Sequence, residues 1–245
     1  MSYEKFAAFY DGLTGNVRYD EYAKYLKDIF ERFPSEGGTV LDAACGTGNI
    51  TCRLSDMGYE MIGVDSSPEM LGAAKEKSGE RDILYLCQDL EELDLYGTVD
   101  KAVCTLDSLN HMESIEKIEE IFRRISLFMN RDGVFVFDMN SLYKHEKILG
   151  DNTFIYDNDE VYCVWQNFFN ENDKSIDIEL DFFAPEGRGK YERYFESFSE
   201  YYYSPEEIMK LLDKSSFKTE GIFEFLTFNP PGDKTERIIF VARKI

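Results

Sequence analysis

Residues 39–49, TVLDAACGTGN, form a short apolar stretch that runs directly into a glycine turn. A strand followed at once by such a turn is typical of parallel α/β sheets, in which the glycines let the backbone approach a nucleotide-like ligand. The stretch therefore predicts an α/β fold with a ligand site at the end of its first strand. Which nucleotide the turn holds has to be read from the residues around it.

Strand and helix patterns alternate outward from this stretch. Apolar runs predict strands at 39–43, 60–64, 82–87, 99–106 and 133–138. Helical periodicity, with caps and prolines at the ends, predicts helices near 18–33, 48–57, 67–78 and 114–129. Such alternation implies right-handed β-α-β crossovers. We expect a doubly wound, mostly parallel sheet with helices on both faces.

The pattern changes after residue 140. KSIDIELDFF, residues 174–183, alternates apolar and acidic side chains, which indicates a half-buried antiparallel strand. Turn-rich breaks at 170–173 and 185–189 predict three or four strands that form a small inserted sheet. A helix over 204–217 and an antiparallel pair of strands near 220–228 and 236–243 return the chain to the α/β body.

Composition narrows the possible partners and locations. The formal charge of −21 over 245 residues repels phosphate backbones and anionic membrane surfaces, so neither nucleic acid nor a membrane is an expected partner. The beginning, MSYEKFAAFYDG, lacks the apolar run of a secretory signal, and we expect a cytoplasmic protein. Five scattered cysteines without a C-x-x-C pair fit neither a disulfide framework nor a zinc site, and we expect reduced, mostly buried thiols.

Acidic residues decide which nucleotide the turn is suited to hold. A dinucleotide fingerprint, G-x-G-x-x-G, needs a third glycine three residues after Gly48, but Thr51 stands there. In addition, the negative charge of Asp42 would oppose a pyrophosphate. A nicotinamide-dependent oxidoreductase is therefore disfavoured. S-adenosylmethionine carries an ammonium and a sulfonium, which Asp42 would attract. Asp65 ends the second strand, where a carboxylate can accept both ribose hydroxyls, and Gln88 with Asp89 ends the third, near an adenine edge.

Four stretches of the sequence, taken in chain order, resemble the motifs of a known family. VLDAACGTGNIT (40–51), GVDSSPEML (63–71), LCQDLEEL (86–93) and DKAVCTLDSLNHM (100–112) are similar to the successive motifs of class I S-adenosylmethionine-dependent methyltransferases. The resemblance implies a seven-stranded sheet of order 3-2-1-4-5-7-6 with strand 7 antiparallel. The overall plan, with its inserted sheet, resembles amino-sugar N,N-dimethyltransferases. Ala44 departs from the motif, which often has another glycine there.

The resemblance also implies where the donor binds. The turn up to Gly48 would hold the methionine part, Met70 and Leu90 the adenine faces, and tyrosines of an N-terminal lid would close over the methionine end. We expect residues 1–140 and 204–245 to form the core with its helical lid, and 141–203 to form an inserted cap. The predicted cofactor-binding residues are Tyr10, Tyr19, Asp42, Gly46, Gly48, Asp65, Ser66, Met70, Gln88, Asp89, Leu90 and Leu106.

The stretch TLDSLNHM, residues 105–112, follows the fourth strand and should face the glycine turn across the topological switch point. Within it, His111 is the candidate catalytic residue, because an imidazole can take a proton from an amine or hydroxyl near neutral pH. The alternative is that His111 only orients the loop. His145 is expected at the surface. We expect no metal site, because the two histidines and the scattered acids show no ligand spacing.

These features predict an enzyme that transfers a methyl group from S-adenosylmethionine to a small molecule, with an amine or amino sugar as the first candidate acceptor. Transfer to a small hydroxylated metabolite is the alternative, and a non-catalytic S-adenosylmethionine-binding module is a third possibility. Aromatic residues of the insert could surround an amine cation. They could equally form a homodimer contact.

Overall fold

A computed structural model of the chain describes residues 10–158, 161–187 and 189–245. Seven strands form the main sheet: β1 (Thr39–Ala43), β2 (Glu60–Asp65), β3 (Ile83–Cys87), β4 (Val99–Cys104), β5 (Met129–Asn140), β10 (Phe217–Glu224) and β11 (Arg237–Lys244). Five helices flank or connect them: α1 (Tyr19–Arg32), α2 (Asn49–Asp56), α3 (Pro68–Ser78), α4 (Ile115–Leu127) and α5 (Pro205–Lys214). Short 3-10 turns cover Leu90–Glu92 and Ser108–His111, and Lys144–Leu149 form a π-helix.

The main sheet has the order β10-β11-β5-β4-β1-β2-β3. β11 is antiparallel to both of its neighbours, whereas β1 to β5 are mutually parallel where they pair. When only the strands of the main sheet are numbered, β10 and β11 become strands 6 and 7. Read from the β3 edge, the order is then 3-2-1-4-5-7-6, with an antiparallel seventh strand. The doubly wound sheet and its expected order are therefore confirmed.

Both faces of the sheet are buried, and helices pack on each face. Along β5, Val134 and Val136 face the layer of α1 and α2, and Phe135 and Phe137 face the layer of α4 and α5. The central strands consequently consist of consecutive apolar residues, as expected for a parallel sheet covered on both sides. β5 begins earlier than its apolar run and includes polar residues 130–132, where Asp132 has φ 64° and the pairing with β4 shifts register.

A second sheet lies between β5 and α5 in the chain. Its four antiparallel strands, in sequential order, are β6 (Thr153–Asp157), β7 (Tyr162–Phe169), β8 (Ser175–Gly187) and β9 (Lys190–Tyr201). The alternating side chains of β8 bury one face, with Ile176, Ile178, Leu180 and Phe182 in its core. The predicted inserted antiparallel sheet is therefore present, with four strands.

Hydrogen bonds attach the last strand of the second sheet to the loop after β4. Asn110 Nδ2 donates to the carbonyl of Tyr201 at 2.9 Å, and Tyr203 Oη donates to the carbonyl of Met112 at 2.6 Å. These contacts bring β9 to the carboxyl ends of the parallel strands. Within the described part of the chain, no helix combines the length and apolar character that crossing a membrane requires.

Candidate active site at the carboxyl ends of the strands

The glycine turn after β1 contains three residues in the left-handed region: Ala44 at φ 62°, Gly46 at φ 53° and Gly48 at φ 75°. A Cβ on Gly48 would lie 2.8 Å from Tyr85 Oη and 3.0 Å from Ala74 Cβ. Gly48 is therefore needed for close packing as well as for its conformation. A Cβ on Gly46 would meet no atom within 4 Å, so this position needs glycine for its backbone angle alone.

Ala44 adopts a backbone conformation that costs an alanine about 1–2 kcal/mol. We expect Ala44→Gly to stabilise the protein by about 0.5 kcal/mol, because relief of this strain exceeds the added freedom of the unfolded chain. Chemical unfolding in urea measures the change. Ala43→Gly, in the buried strand β1, is the matched control and should destabilise instead. Equal losses in both variants would contradict the proposed strain.

Asp42 lies near the end of β1 and is only 1% exposed. Thr51 Oγ1 donates to its Oδ2 at 2.5 Å, and Oδ1 has no hydrogen-bond partner among the described residues. Burial, together with the charge of Asp65, raises the pKa of Asp42 to about 7, although the Thr51 bond opposes this rise. A buried carboxylate oxygen without a donor suits a ligand that brings its own cation.

Asp65 ends β2 beside the glycine turn. Its carboxylate accepts hydrogen bonds from Gly46 N at 2.8 Å and Ser67 N at 2.9 Å. Burial raises the pKa of Asp65, and these backbone bonds partly offset the rise. A carboxylate can accept about four hydrogen bonds, so two positions remain for the hydroxyls of a ribose.

The carboxyl ends of the strands open into a cavity of about 680 Å³. Seven of the residues singled out from the sequence line it, together with residues of the second sheet: Tyr10, Gly46, Asp65, Ser66, Met70, Leu106 and His111, with Phe198, Ser199 and Tyr201. A smaller recess of about 40 Å³ adjoins it and shares Tyr10, Gly46 and Leu106. Tyr19 lines this recess. The structure therefore brings the two expected lid tyrosines to the glycine turn.

Three predicted adenine contacts do not line this cavity. The carboxamide of Gln88 is bound at both ends by the backbone of Asp94, at 3.0 Å each. Asp89 Oδ1 accepts from Glu91 N at 2.9 Å and caps the following 3-10 turn. Leu90 is buried in the hydrophobic core. Their adenine-binding roles stay predictions, and Gln88 would have to release Asp94 to contribute its amide.

The loop after β4 is held in an unusual conformation. Leu106 and Asp107 both have φ near 60°. Their backbone N–H groups donate to the carboxylate of Asp138, at 2.6 Å and 2.7 Å. Asp138 is completely buried and also accepts from Tyr22 Oη of α1 and from the guanidinium of Arg237. One carboxylate therefore shapes the loop that faces the glycine turn.

Arg237 begins β11 and neutralises two acids beside this loop. It pairs with Asp138 and, at 2.7 Å, with Asp107. Burial raises the pKa of Asp107, but the charges of Arg237 and Lys144 outweigh it and hold the pKa well below its usual range. Asp107 is therefore ionised near neutral pH.

His111 is exposed in the cavity, with its ring centroid 5.1 Å from that of Phe198. Ligand atoms of His111, Asp107 and Glu200 lie within 4.8 Å of one another. A metal ion would compete with existing partners, because Arg237 holds Asp107, and Asn140 Nδ2 donates to Glu200 at 2.7 Å. Asn140 Nδ2 also donates to Asp107 at 3.0 Å, so Asp107 and Glu200 are joined through Asn140.

The expectation of a surface position for His145 is wrong, because the residue is 0% exposed. It lies in the π-helix that follows β5, with Nε2 at 3.3 Å from Glu200 Oε2 and Nδ1 at 3.3 Å from the carbonyl of Lys174. Its partner Glu200 lies 55 residues away, on β9. Sequence reasoning also missed Asp138, Asn140 and Glu200. The sequence did contain a signal for Asp138, because it is an acid at the end of the apolar run VFVFD, residues 134–138.

Known proteins resemble this chain over its whole length. A family model described as a methyltransferase domain matches residues 40–133. The YqeM protein of Bacillus subtilis, whose name is a provisional methyltransferase assignment, is 32% identical over 246 residues, covering 100% of this chain and 98% of that protein. The crystal structure of an S-adenosylmethionine-dependent methyltransferase of Clostridium acetobutylicum is similar to this chain, with 31% sequence identity and a TM-score of 0.88. The match covers 100% of this chain and 99% of that chain.

A more distant structure shows the same fold with a ligand. CalS10 of Micromonospora echinaspora, an amino pentose methyltransferase solved with S-adenosylmethionine bound, is 15% identical, with a TM-score of 0.77 over 97% of both chains. At this identity the likeness concerns the fold alone.

Proposed function

The chain belongs to the S-adenosylmethionine-dependent methyltransferases, and from this premise we propose that it methylates the nitrogen of a small-molecule amine. The proposal is carried by the composition of the cavity, where His111, Phe198 and Tyr201 share one lining with Gly46 and Asp65. A proton acceptor and aromatic rings thus lie in the cavity in which the donor is expected. The formal charge of −21 supports a small molecule rather than a nucleic acid as acceptor.

The residues on the donor side suit a cationic ligand. S-adenosylmethionine supplies an electrophilic methyl group on a positively charged sulfur. Asp42 would bind the ammonium through its unpartnered oxygen, and Asp65 would bind the ribose hydroxyls. Tyr10 and Tyr19 would cover the methionine end, as a lid, from the recess that they line.

The acceptor side is formed by the second sheet and the loop after β4. Phe198, Ser199 and Tyr201 of β9 reach the cavity, so we propose that residues 141–203 act as a cap over the acceptor. A ring next to an amine cation contributes about 0.5–2 kcal/mol. An amine must lose its proton before its nitrogen attacks the methyl group, and His111 is exposed to the cavity to accept it. Holding both reactants in line supplies much of the remaining acceleration.

A panel of small amines, amino sugars and hydroxylated metabolites tests the proposal, with release of S-adenosylhomocysteine as the readout. We expect turnover with at least one amine and formation of an N-methyl product, identified by mass spectrometry. Turnover confined to hydroxylated compounds would favour the O-methyltransferase alternative. Tight S-adenosylhomocysteine binding without turnover of any compound would favour a non-catalytic module.

His111→Gln is expected to lower the single-turnover rate with the true acceptor by about 10²–10⁴-fold, the usual contribution of a positioned general base. Glutamine keeps the polarity of the side chain but cannot accept a proton near neutral pH. Rapid-quench measurement of methyl transfer gives the rate, and calorimetry should show unchanged affinity for S-adenosylhomocysteine. A variant that retains the full rate would show that His111 only orients its loop.

A further inference from the structure

Among the described residues, the lysine, arginine, aspartate and glutamate side chains that line the cavity are all acidic. Three of its described lining residues carry carboxylates: Asp65, Glu69 and Glu113. No lysine or arginine is found among the described residues that line it. A site for a phosphate or carboxylate normally presents arginine, lysine or free backbone N–H groups to the anion.

Three backbone donors at the cavity wall are already used. α3 begins at its wall, and a helix N-terminus can bind an anion. Here Ser67 N donates to Asp65, Met70 N donates to the Ser67 hydroxyl at 3.2 Å, and Gly46 N donates to Asp65. The Ser67 hydroxyl in turn donates to Glu69 at 2.9 Å. Two of these backbone donors bind the Asp65 carboxylate and the third binds a hydroxyl, so none of the three is left for a phosphate.

Two basic residues near the cavity are held by acids. Lys117 lies on α4 and contacts Glu113 at 3.0 Å and Glu91 at 3.5 Å. Arg237 is buried between Asp107 and Asp138, beneath the loop after β4. A phosphorylated ligand would therefore meet carboxylates, and no lysine or arginine among the described lining residues would compensate them.

We infer that the part of the acceptor that enters this cavity carries no phosphate or carboxylate, so that the acceptor is an uncharged or cationic amine. The inference rests on the proposed function and deepens it. It excludes nucleotide-linked and phosphorylated amines as acceptors. Phe198, Tyr201 and Glu113 suit a cation, whereas the overall charge of −21 adds a long-range field that repels anions.

A binding experiment tests the inference without a known acceptor. Protein saturated with S-adenosylhomocysteine is titrated calorimetrically with thymidine diphosphate, using the wild type, Glu113→Lys and the matched control Glu119→Lys. Glu119 lies on α4, which begins just after Glu113, and is not among the residues that line the cavity, so its substitution changes the total charge equally. We expect Glu113→Lys, which also removes one of the two acids that hold Lys117, to bind the diphosphate at least about tenfold more tightly than the wild type and the control.

Equal affinities in the three proteins, or no binding in any of them, would overturn the inference, because charge at the cavity would then not decide admission. Turnover gives a second measurement on matched pairs, ethanolamine with phosphoethanolamine and glucosamine with glucosamine 1-phosphate. The free amine should have at least about a tenfold higher kcat/KM. A preference for the phosphorylated partner would overturn the inference. Absence of turnover with any amine would count against the proposed function, while the titration still decides the charge question.

Discussion

Asp42→Asn is expected to make the ligand-free protein more stable at pH 8, by about 1–3 kcal/mol, and to weaken S-adenosylmethionine binding by about a hundredfold. Asp42 is buried and its pKa is raised from 3.8 to about 7. The folded protein therefore binds this proton more tightly than the unfolded chain does. Above pH 7 an ionised carboxylate is buried without a cation, and asparagine removes that cost while its own unpartnered amide N–H group returns part of it.

The pH dependence of stability distinguishes removal of a buried charge from a change in side-chain packing. Because the folded pKa of Asp42 lies above the unfolded value, its contribution to stability falls as pH rises from about 4 to 7 and is constant above 7. The advantage of Asp42→Asn should therefore be about 2–3 kcal/mol larger at pH 8 than at pH 5. Urea unfolding at both pH values measures it. Asp82→Asn, at an exposed position before β3, is the control for loss of one charge.

The affinity for S-adenosylmethionine should depend on pH in the opposite direction from the stability. The ammonium of the donor needs the ionised carboxylate, so wild-type affinity should weaken below pH 7, at most about tenfold per pH unit. Asp42→Asn should lose both the affinity and this pH dependence in calorimetric titrations with S-adenosylhomocysteine. A variant that binds as tightly as the wild type would show that Asp42 has no role in holding the ammonium.

The features that sequence reasoning predicted are those encoded within short segments. Asp42 and Asp65 each end a strand beside the glycine turn, so strand alternation alone placed them at one edge of the sheet. The same reasoning predicted a helix over 67–78, and in the structure Ser67 caps it, since its hydroxyl accepts from Met70 N. Local periodicity likewise indicated the alternating strand β8.

The features that it missed depend on residues far apart in the chain. Arg237 and Asp138 are separated by 99 residues and meet because β11 inserts next to β5. Glu200 and His145 meet because β9 returns to the end of β5. Neither pairing has a local pattern, since both depend on strand order in three dimensions. For Gln88 the strand end was predicted correctly, but the return of the backbone at Asp94, which binds its amide, was not.

Arg237→Met is expected to destabilise the protein by about 3–5 kcal/mol at pH 8, because Asp107 and Asp138 are then left buried without their cation. The loss should be smaller at pH 5. Once Arg237 is absent, Asp107 loses the largest of the charges that oppose its burial, so its pKa should rise and favour protonation at the lower pH. Urea unfolding at both pH values measures the change.

The same substitution should slow methyl transfer even where the protein remains folded, since the Asp138 carboxylate that holds Leu106 and Asp107 in left-handed conformations loses its partner. Arg243→Met is the matched control. Arg243 lies near the other end of β11 and pairs with Glu220 at 2.7 Å, so its loss should cost about 1 kcal/mol and leave transfer unchanged. Equal effects of the two substitutions on transfer would mean that the charge network does not shape the loop, and that its conformation follows from the backbone of β4 and β5 alone.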